Sequence, residues 1–349
     1  MPPSPAVSLT EEFRGVERRL REWPSSSAAM YSIAGIPIRF HFGSQSLRDR
    51  ISPAFRHLES AQIAEPSLHV FIHERGAILE DARFASEPIL SGGEDHSWLD
   101  ESPEVSVIVQ KRGQVVTAVD WKRGAGYWLV PDAESISYIE RARPLQQLLV
   151  YWLGKQGRYL VHGAAVGSEN GGVLILGQGG AGKSTTALAC LEEGMRYVAD
   201  DYCLVSLDDG PSVHSIYGTA KLAFEELHRF PSLAPAGDLD GRPPEEKVVF
   251  FLGVLPAIHF ARSLKLRAVL LARIANLPRT CLCPIGSAEA FRAIVPSCAL
   301  HHPAARAQAL KCFNGLVRRL PAYALELGAD MRSTPAAIRE LLAGLPATS

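Results

Sequence analysis

A chain of 349 residues, 47% hydrophobic and 21% charged, is long enough for two domains and composed like an ordinary globular protein, which excludes disorder beyond its ends. A net charge of −1 leaves no electrostatic footprint for nucleic acid or an anionic membrane surface. The longest uncharged apolar stretch, 248–261, is too short to cross a bilayer, and Gly253 and Pro256 break it.

Residues 1–7 are rich in Pro and Ser and read as loose. Ser8 and Glu11 form a capping box ahead of Phe13, Val16, Leu20 and Trp23, one apolar stripe of a short helix. Residues 24–29 read as a linker that closes an N-terminal segment, 1–29. Two strands follow over 31–42, about Gly35-Ile36-Pro37. A helix comes next, with Leu47, Ile51, Phe55 and Leu58 on one face. Leu68, Val70 and Ile72 alternate as in a strand, and 79–103 reads as a loop. Four strands of a meander are predicted over 105–110, 114–121, 126–130 and 136–140. The sum is a small α+β domain over 30–142. It carries no motif, and docking, assembly of a homo-oligomer, or plain extension of the next domain's sheet would each suit it.

The remainder, 143–349, is where the chemistry concentrates. Pro144 opens a helix with Leu145, Leu148, Leu149, Trp152 and Leu153 inside. A turn at Ser168-Glu169-Asn170-Gly171-Gly172 marks a hairpin. If it is symmetric about Asn170, His162 lies opposite Gln178. The apolar run 173–176 is a buried strand, and the residues after it, Gly177 to Ser184, fit G-x-x-x-x-G-K-[ST] without a mismatch. Such a loop curls so that successive N–H groups face phosphate oxygens, and the following helix adds its N-terminal dipole. Gly177, Gly179, Gly180, Ala181, Gly182, Lys183, Ser184 and Thr185 form this phosphate cradle. Lys183 reaches the β/γ-phosphates, and the Ser184 hydroxyl is a Mg²⁺ ligand. The helix covers 185–193, and Gly194 stands at its C-terminal cap.

A short strand over 195–199 ends in Asp200-Asp201. The helix carries the chain ~15 Å away, and the strand brings it ~16 Å back. A right-handed crossover then sets both carboxylates beside the loop. Neighbours on a strand point to opposite sides, so one aspartate suits Mg²⁺ and the other suits a proton from an acceptor hydroxyl. Residues 218–222 would follow the next strand, where Lys221 reads first as a surface lysine and second as one that reaches a phosphate or an acidic acceptor. Residues 231–246 read as a mobile loop, a candidate lid, with Lys247 behind it. A strand over 267–274, a helix from Ser287 to Pro296, a helix from Pro303, a strand over 323–327 and a helix capped by Thr334-Pro335 complete the chain. The six cysteines read as buried free thiols, and an N-terminus without a signal-peptide core points to the cytoplasm.

His162-Gly163, the glycine loop with its helix, Arg196 and Val198-Ala199-Asp200-Asp201 resemble the kinase domain of bacterial HPr kinase/phosphorylase and related serine kinases, including those that modify lasso-peptide precursors. The resemblance is specific over about residues 158–206. It implies an α/β, P-loop kinase domain of phosphoenolpyruvate-carboxykinase-like type, here with a smaller N-terminal α+β domain. It implies ATP with Mg²⁺ and a Ser or Thr hydroxyl acceptor on a peptide or protein. Asp200 is by this likeness the base, His162 its partner in catalysis, and Ser184 with Asp201 the metal side. The family's Glu-x-Arg-Gly signature is missing: Ser215-Ile216-Tyr217-Gly218-Thr219-Ala220-Lys221-Leu222 stands there instead. That departure bears on HPr as the substrate and on the reverse reaction. The same nucleotide site would also serve a kinase of small-molecule hydroxyls, or a switch driven by nucleotide hydrolysis.

Overall fold

The computed structural model describes residues 26–61, 65–75, 97–101, 104–110, 115–256, 258–301 and 305–346, with Arg14, Glu17, Arg21 and Glu22. The architecture is mixed α/β in two compact units: Met1–Ser52 with Glu59–Leu148, and Pro53–Leu58 with Leu149–Ser349.

The first unit is a seven-stranded sheet of β1 (Ser27–Ile33), β2 (Ile36–Phe42), β3 (Leu68–Glu74), β4 (Ser97–Glu101), β5 (Val105–Gln110), β6 (Val115–Asp120) and β7 (Ala125–Val130), ordered β1-β2-β3-β7-β6-β5-β4. β2, β3 and β7 run parallel, and the step from β2 to β3 passes through the helix α1 (Gln45–Ile51), whose Leu47 and Ile51 are buried. Four expectations change. β1 starts inside the expected linker, and β4 forms inside the expected loop. The expected strand over 136–140 is instead a helix, α2 (Tyr138–Ala142), because the Ser137 hydroxyl accepts the Glu140 N–H at 3.2 Å as an N-cap. The helix expected to run to Leu58 stops at Ile51, and Pro53 sits in a tighter 3₁₀ segment, Ser52–Leu58. The four described residues of the N-terminal helix are helical, while its apolar stripe lies outside the described residues.

The second unit begins in α3 (Gln146–Lys155). Then come β8 (Tyr159–His162), β9 (Ala164–Ser168), β10 (Gly171–Leu176), α4 (Lys183–Glu192), β11 (Arg196–Ala199), β12 (Tyr202–Ser206) and β13 (Ser212–His214). β14 (Thr219–Leu222), β15 (Gly237–Asp238) and β16 (Val248–Phe251) form a small sheet of their own. β17 (Ser263–Ile274), β18 (Cys281–Ile285), α5 (Ser287–His301), α6 (Arg306–Arg319), β19 (Ala322–Leu327) and α7 (Ser333–Gly344) follow. The large sheet runs β11-β9-β10-β17-β13-β12-β8, with β19 also on β17 and β18 on β19.

Helices cover both faces of this sheet, which explains the unbroken apolar run of β10. Val173 and Ile175 enter a core with Leu188 and Leu191 of α4 and Ile338 and Leu342 of α7. Leu174 and Leu176 point the other way, into a core with Ile294 of α5 and Phe313 and Leu316 of α6. Twice the chain leaves one part of the sheet for another at the same level. β8 hands over to β9 at Gly163, and β11 hands over to β12 at Asp200-Asp201. Tyr202 pairs with His162, and the Gly163 N–H donates to the Asp201 carbonyl at 3.1 Å.

Further corrections fall here. The β9–β10 hairpin pairs Ser168 with Gly171, one residue away from symmetry about Asn170, and the strand breaks at Gly163 before His162. Residues 219–222 are a strand. The first part of the expected loop over 231–246 is a 3₁₀ segment, Pro231–Ala236, whose Leu233 and Ala236 bury against the core. α5 continues through Pro296 to His301, since packing of its buried Ala290 and Ile294 outweighs one lost backbone hydrogen bond. Cys190, Cys203 and Cys312 are buried, but Cys281 and Cys283 are exposed, both on one face of β18. The side chain of Cys298 lies outside the described residues.

Candidate functional site

β10 ends at Leu176 and releases a glycine loop onto the N-terminus of α4. Gly177, Gly180 and Gly182 have φ of 148°, 79° and 93°. A β-carbon on Gly182 would meet only the tip of the Leu327 side chain, which can turn aside, so it is the left-handed backbone that requires glycine. The Ala181 N–H donates to the Gln178 carbonyl at 3.2 Å and closes the turn. No side chain caps α4, and its first turn holds no acidic residue. Its leading N–H groups are therefore available to an anion. Lys183 folds back on the loop: Nζ donates to the Gly177 and Gln178 carbonyls at 2.8 and 3.1 Å. Burial pushes its ammonium below the ordinary lysine range, while Asp200 and Asp201 draw it back up.

The aspartates sit at the turn between β11 and β12 in different settings. Asp200 is 2% exposed. Its Oδ2 accepts the Lys221 backbone N–H at 3.1 Å, while Oδ1 is buried with no hydrogen-bond partner. Burial, then the charge of Asp201, raises its pKa above the ordinary carboxylate range; the Lys221 N–H and the adjoining Ser184 hydroxyl counter this. Asp201 adopts φ +66°, spanned by a hydrogen bond of 2.8 Å from the Tyr202 N–H to the Asp200 carbonyl. This left-handed backbone is a strained state for a residue with a β-carbon. Asp201 Oδ2 meets Lys221 Nζ at 2.8 Å, and Oδ1 lies 3.8 Å from His162 Nδ1.

Lys221, expected on the surface, is instead held in the site, bound to one aspartate through its backbone and to the other through its side chain. The fully buried Tyr197 of β11 positions its strand, donating its hydroxyl to the Thr219 carbonyl at 2.8 Å. In sequence Lys221 follows a glycine turn like any surface lysine.

A cavity of about 600 Å³ joins these parts. Its lining includes the polar and charged His162, Lys183, Ser184, Asp201, Lys221 and Lys247 and the apolar Ile274, Leu327, Ala329 and Met331. Gly179, Gly180, Ala181, Gly182 and Thr185 also line it, whereas Gly177 faces a neighbouring cavity and Asp200 lines neither. Among the described residues no group of three His, Cys, Asp or Glu could hold a metal ion. A cation here would draw on a carboxylate, a hydroxyl and the oxygens of a bound phosphate, a hard donor set that fits Mg²⁺. The Asp200 carboxyl, which the Ser184 hydroxyl adjoins and whose Oδ1 has no hydrogen-bond partner, fits that set.

No family model matches the chain. One curated relative is HPr kinase/phosphorylase 1 of Oceanobacillus iheyensis, 42% identical over 67 residues. The match covers 19% of this chain and spans only 21% of the relative's length. The chain resembles HPr kinase/phosphorylase over that stretch. Among solved structures, the Hpr(Ser) kinase/phosphatase of Coxiella burnetii aligns with 52% of this chain and 94% of its own. At 10% identity and a TM-score of 0.30, that likeness is too slight to bear on function. Among the described residues no helix is long and apolar enough to cross a membrane.

Proposed function

We propose that the second unit is a P-loop kinase of the phosphoenolpyruvate-carboxykinase-like type, acting in the cytoplasm. It transfers the γ-phosphoryl group of ATP to a Ser or Thr hydroxyl of a peptide or protein. The observation that carries the reading is the meeting of Lys183, Ser184, Asp201, Lys221 and His162 on one cavity below an uncapped helix N-terminus. Three lysines and the helix terminus suit a triphosphate, and the apolar stretch at Leu327 and Met331 suits a purine ring.

The two aspartates take the reverse of the order drawn from the family likeness. Asp200, buried next to Ser184 with one free oxygen, is the metal side; Asp201, on the cavity wall, is the base. Mg²⁺ bound there would offset charge on the β- and γ-phosphates. Ser184 and Asp200 would hold it. Lys183 leaves the loop carbonyls for the phosphate oxygens, which cost it nothing in burial. The Asp201 carboxylate takes the proton of the acceptor hydroxyl, and that oxygen bonds to the γ-phosphorus. The bond from the γ-phosphorus to the bridging oxygen breaks, and ADP leaves with the electron pair. Lys221 holds Asp201 in place through Oδ2 at 2.8 Å, and His162 Nδ1 lies 3.8 Å from its other oxygen. Transfer in this scheme is positioning plus charge stabilisation, as phosphoryl transfer requires.

Lys183→Ala tests the reading. Phosphate transfer should be lost while circular dichroism stays that of the parent, because the lysine's partners are two loop carbonyls and no core residue. Equal turnover by folded parent and variant would reject the assignment.

A further inference from the structure

A second cavity, of about 490 Å³, shares His162 and Gly179 with the first. The backbones of Gly177 and Gln178 also border it, and their carbonyls are the ones that Lys183 Nζ touches. This end of the loop is therefore the end that meets the terminal phosphate. Lys183, Ser184, Thr185, Leu327 and Met331 line the first cavity and not the second, so a nucleotide held by them leaves the second cavity open. In-line attack on the γ-phosphorus needs an acceptor that enters at the reactive end and not past the base.

The walls say what enters. Leu271, Ala293 and Pro296 make an apolar side. α5 is pinned to the site, since the buried Ser297 Oγ accepts the His162 backbone N–H at 3.0 Å. The cleft is thus formed in advance. Two other charged groups line it, Glu289 and Arg292. Glu289 is engaged by Arg273. Arg292 is exposed and has no ion-pair or hydrogen-bond partner among the described residues. The unspent charge of the cleft is positive.

We infer that this second cavity seats the acceptor polypeptide: the hydroxyl passes His162 to Asp201, neighbouring residues lie on the apolar wall, and Arg292 reads an acidic residue close to the phosphorylated one. The inference rests on the kinase reading above. A peptide library with a fixed central Ser, each flanking position fixed in turn and the rest degenerate, tests it with γ-labelled ATP and the full chain. One flanking position should favour Asp or Glu over Lys by about fivefold, the upper range for a solvent-exposed ion pair. In Arg292→Glu that preference should reverse towards Lys and Arg, with nucleotide affinity retained. Ala293→Trp, which fills the cleft, should lose peptide labelling and still bind ATP. Labelling with no acidic preference, or the same preference in Arg292→Glu, would overturn the cleft and leave the kinase reading standing. No labelled peptide from a parent protein that binds and turns over ATP would overturn both.

Discussion

At the scale of single residues, the roles of Asp200 and Asp201 make two predictions. If Asp201 is the base, Asp201→Asn should bind nucleotide normally and lose transfer by roughly 10²–10⁴, the usual worth of general-base catalysis, with no rescue by added Mg²⁺. Asp200→Asn should weaken apparent Mg²⁺ affinity, and excess Mg²⁺ should restore part of the rate. Rescue of Asp201→Asn in place of Asp200→Asn, in a Mg²⁺ titration at saturating ATP, would return the order to that expected from sequence. The second prediction concerns stability. The pKa of Asp200 is raised in the folded protein, above all by burial. The folded state then binds a proton more readily than the unfolded chain, so stability falls as pH rises from the ordinary carboxylate range through the raised value. Asn carries no such cost. Without nucleotide or divalent cation, Asp200→Asn should melt above the parent at neutral pH, and the gap should close in acid. A variant that melts at or below the parent at neutral pH would show that Asp200 is not held at a cost. The glycine loop is legible residue by residue because its glycines answer to backbone geometry alone. The different settings of the two aspartates are not, because they include the positive φ of Asp201, which no spacing rule announces.

Elements bring these residues together. Alternation along one strand would separate the aspartates, but they sit at a transfer between two parts of the sheet, level with the similar transfer at Gly163. β14 escapes a sequence reading because a four-residue strand in a separate small sheet leaves almost no periodic signal. Its Lys221 depends on Tyr197, which is buried in β11 and bonded to Thr219. Tyr197→Phe removes that hydrogen bond and should cost about 1 kcal/mol. If the tyrosine positions Lys221, transfer should also fall with ATP affinity nearly unchanged. A variant that loses stability alone, with parental kcat, would confine Tyr197 to packing. The helix expected over 185–193 is readable from the glycine that follows it, and the end of the last helix at Gly344 is readable too, but that helix starts at Ser333 with no side chain capping it, ahead of the expected Thr334-Pro335 cap. The course of α5 through Pro296 is not readable, because tertiary packing overrides a local breaker.

For the whole molecule, sequence order hides one feature in particular. Pro53–Leu58 precede much of the first unit in the chain, yet they belong to the second. There Phe55 packs on Tyr217, His57 Nε2 bonds to Ser215 Oγ at 2.6 Å, and the Gly218 N–H meets the Ala54 carbonyl at 2.7 Å. Those contacts brace the turn that leads into β14. A contiguous reading of domains has no means to find such a segment. The account as a whole stands on the fate of the γ-phosphoryl group. The most direct measurement follows label from γ-labelled ATP, with Mg²⁺ and the Ser peptide library, for the parent and Lys183→Ala side by side. The account predicts acid-stable label on Ser or Thr of the peptides with the parent and none with Lys183→Ala. Label recovered only as free phosphate, or on a small molecule and never on polypeptide, would contradict it.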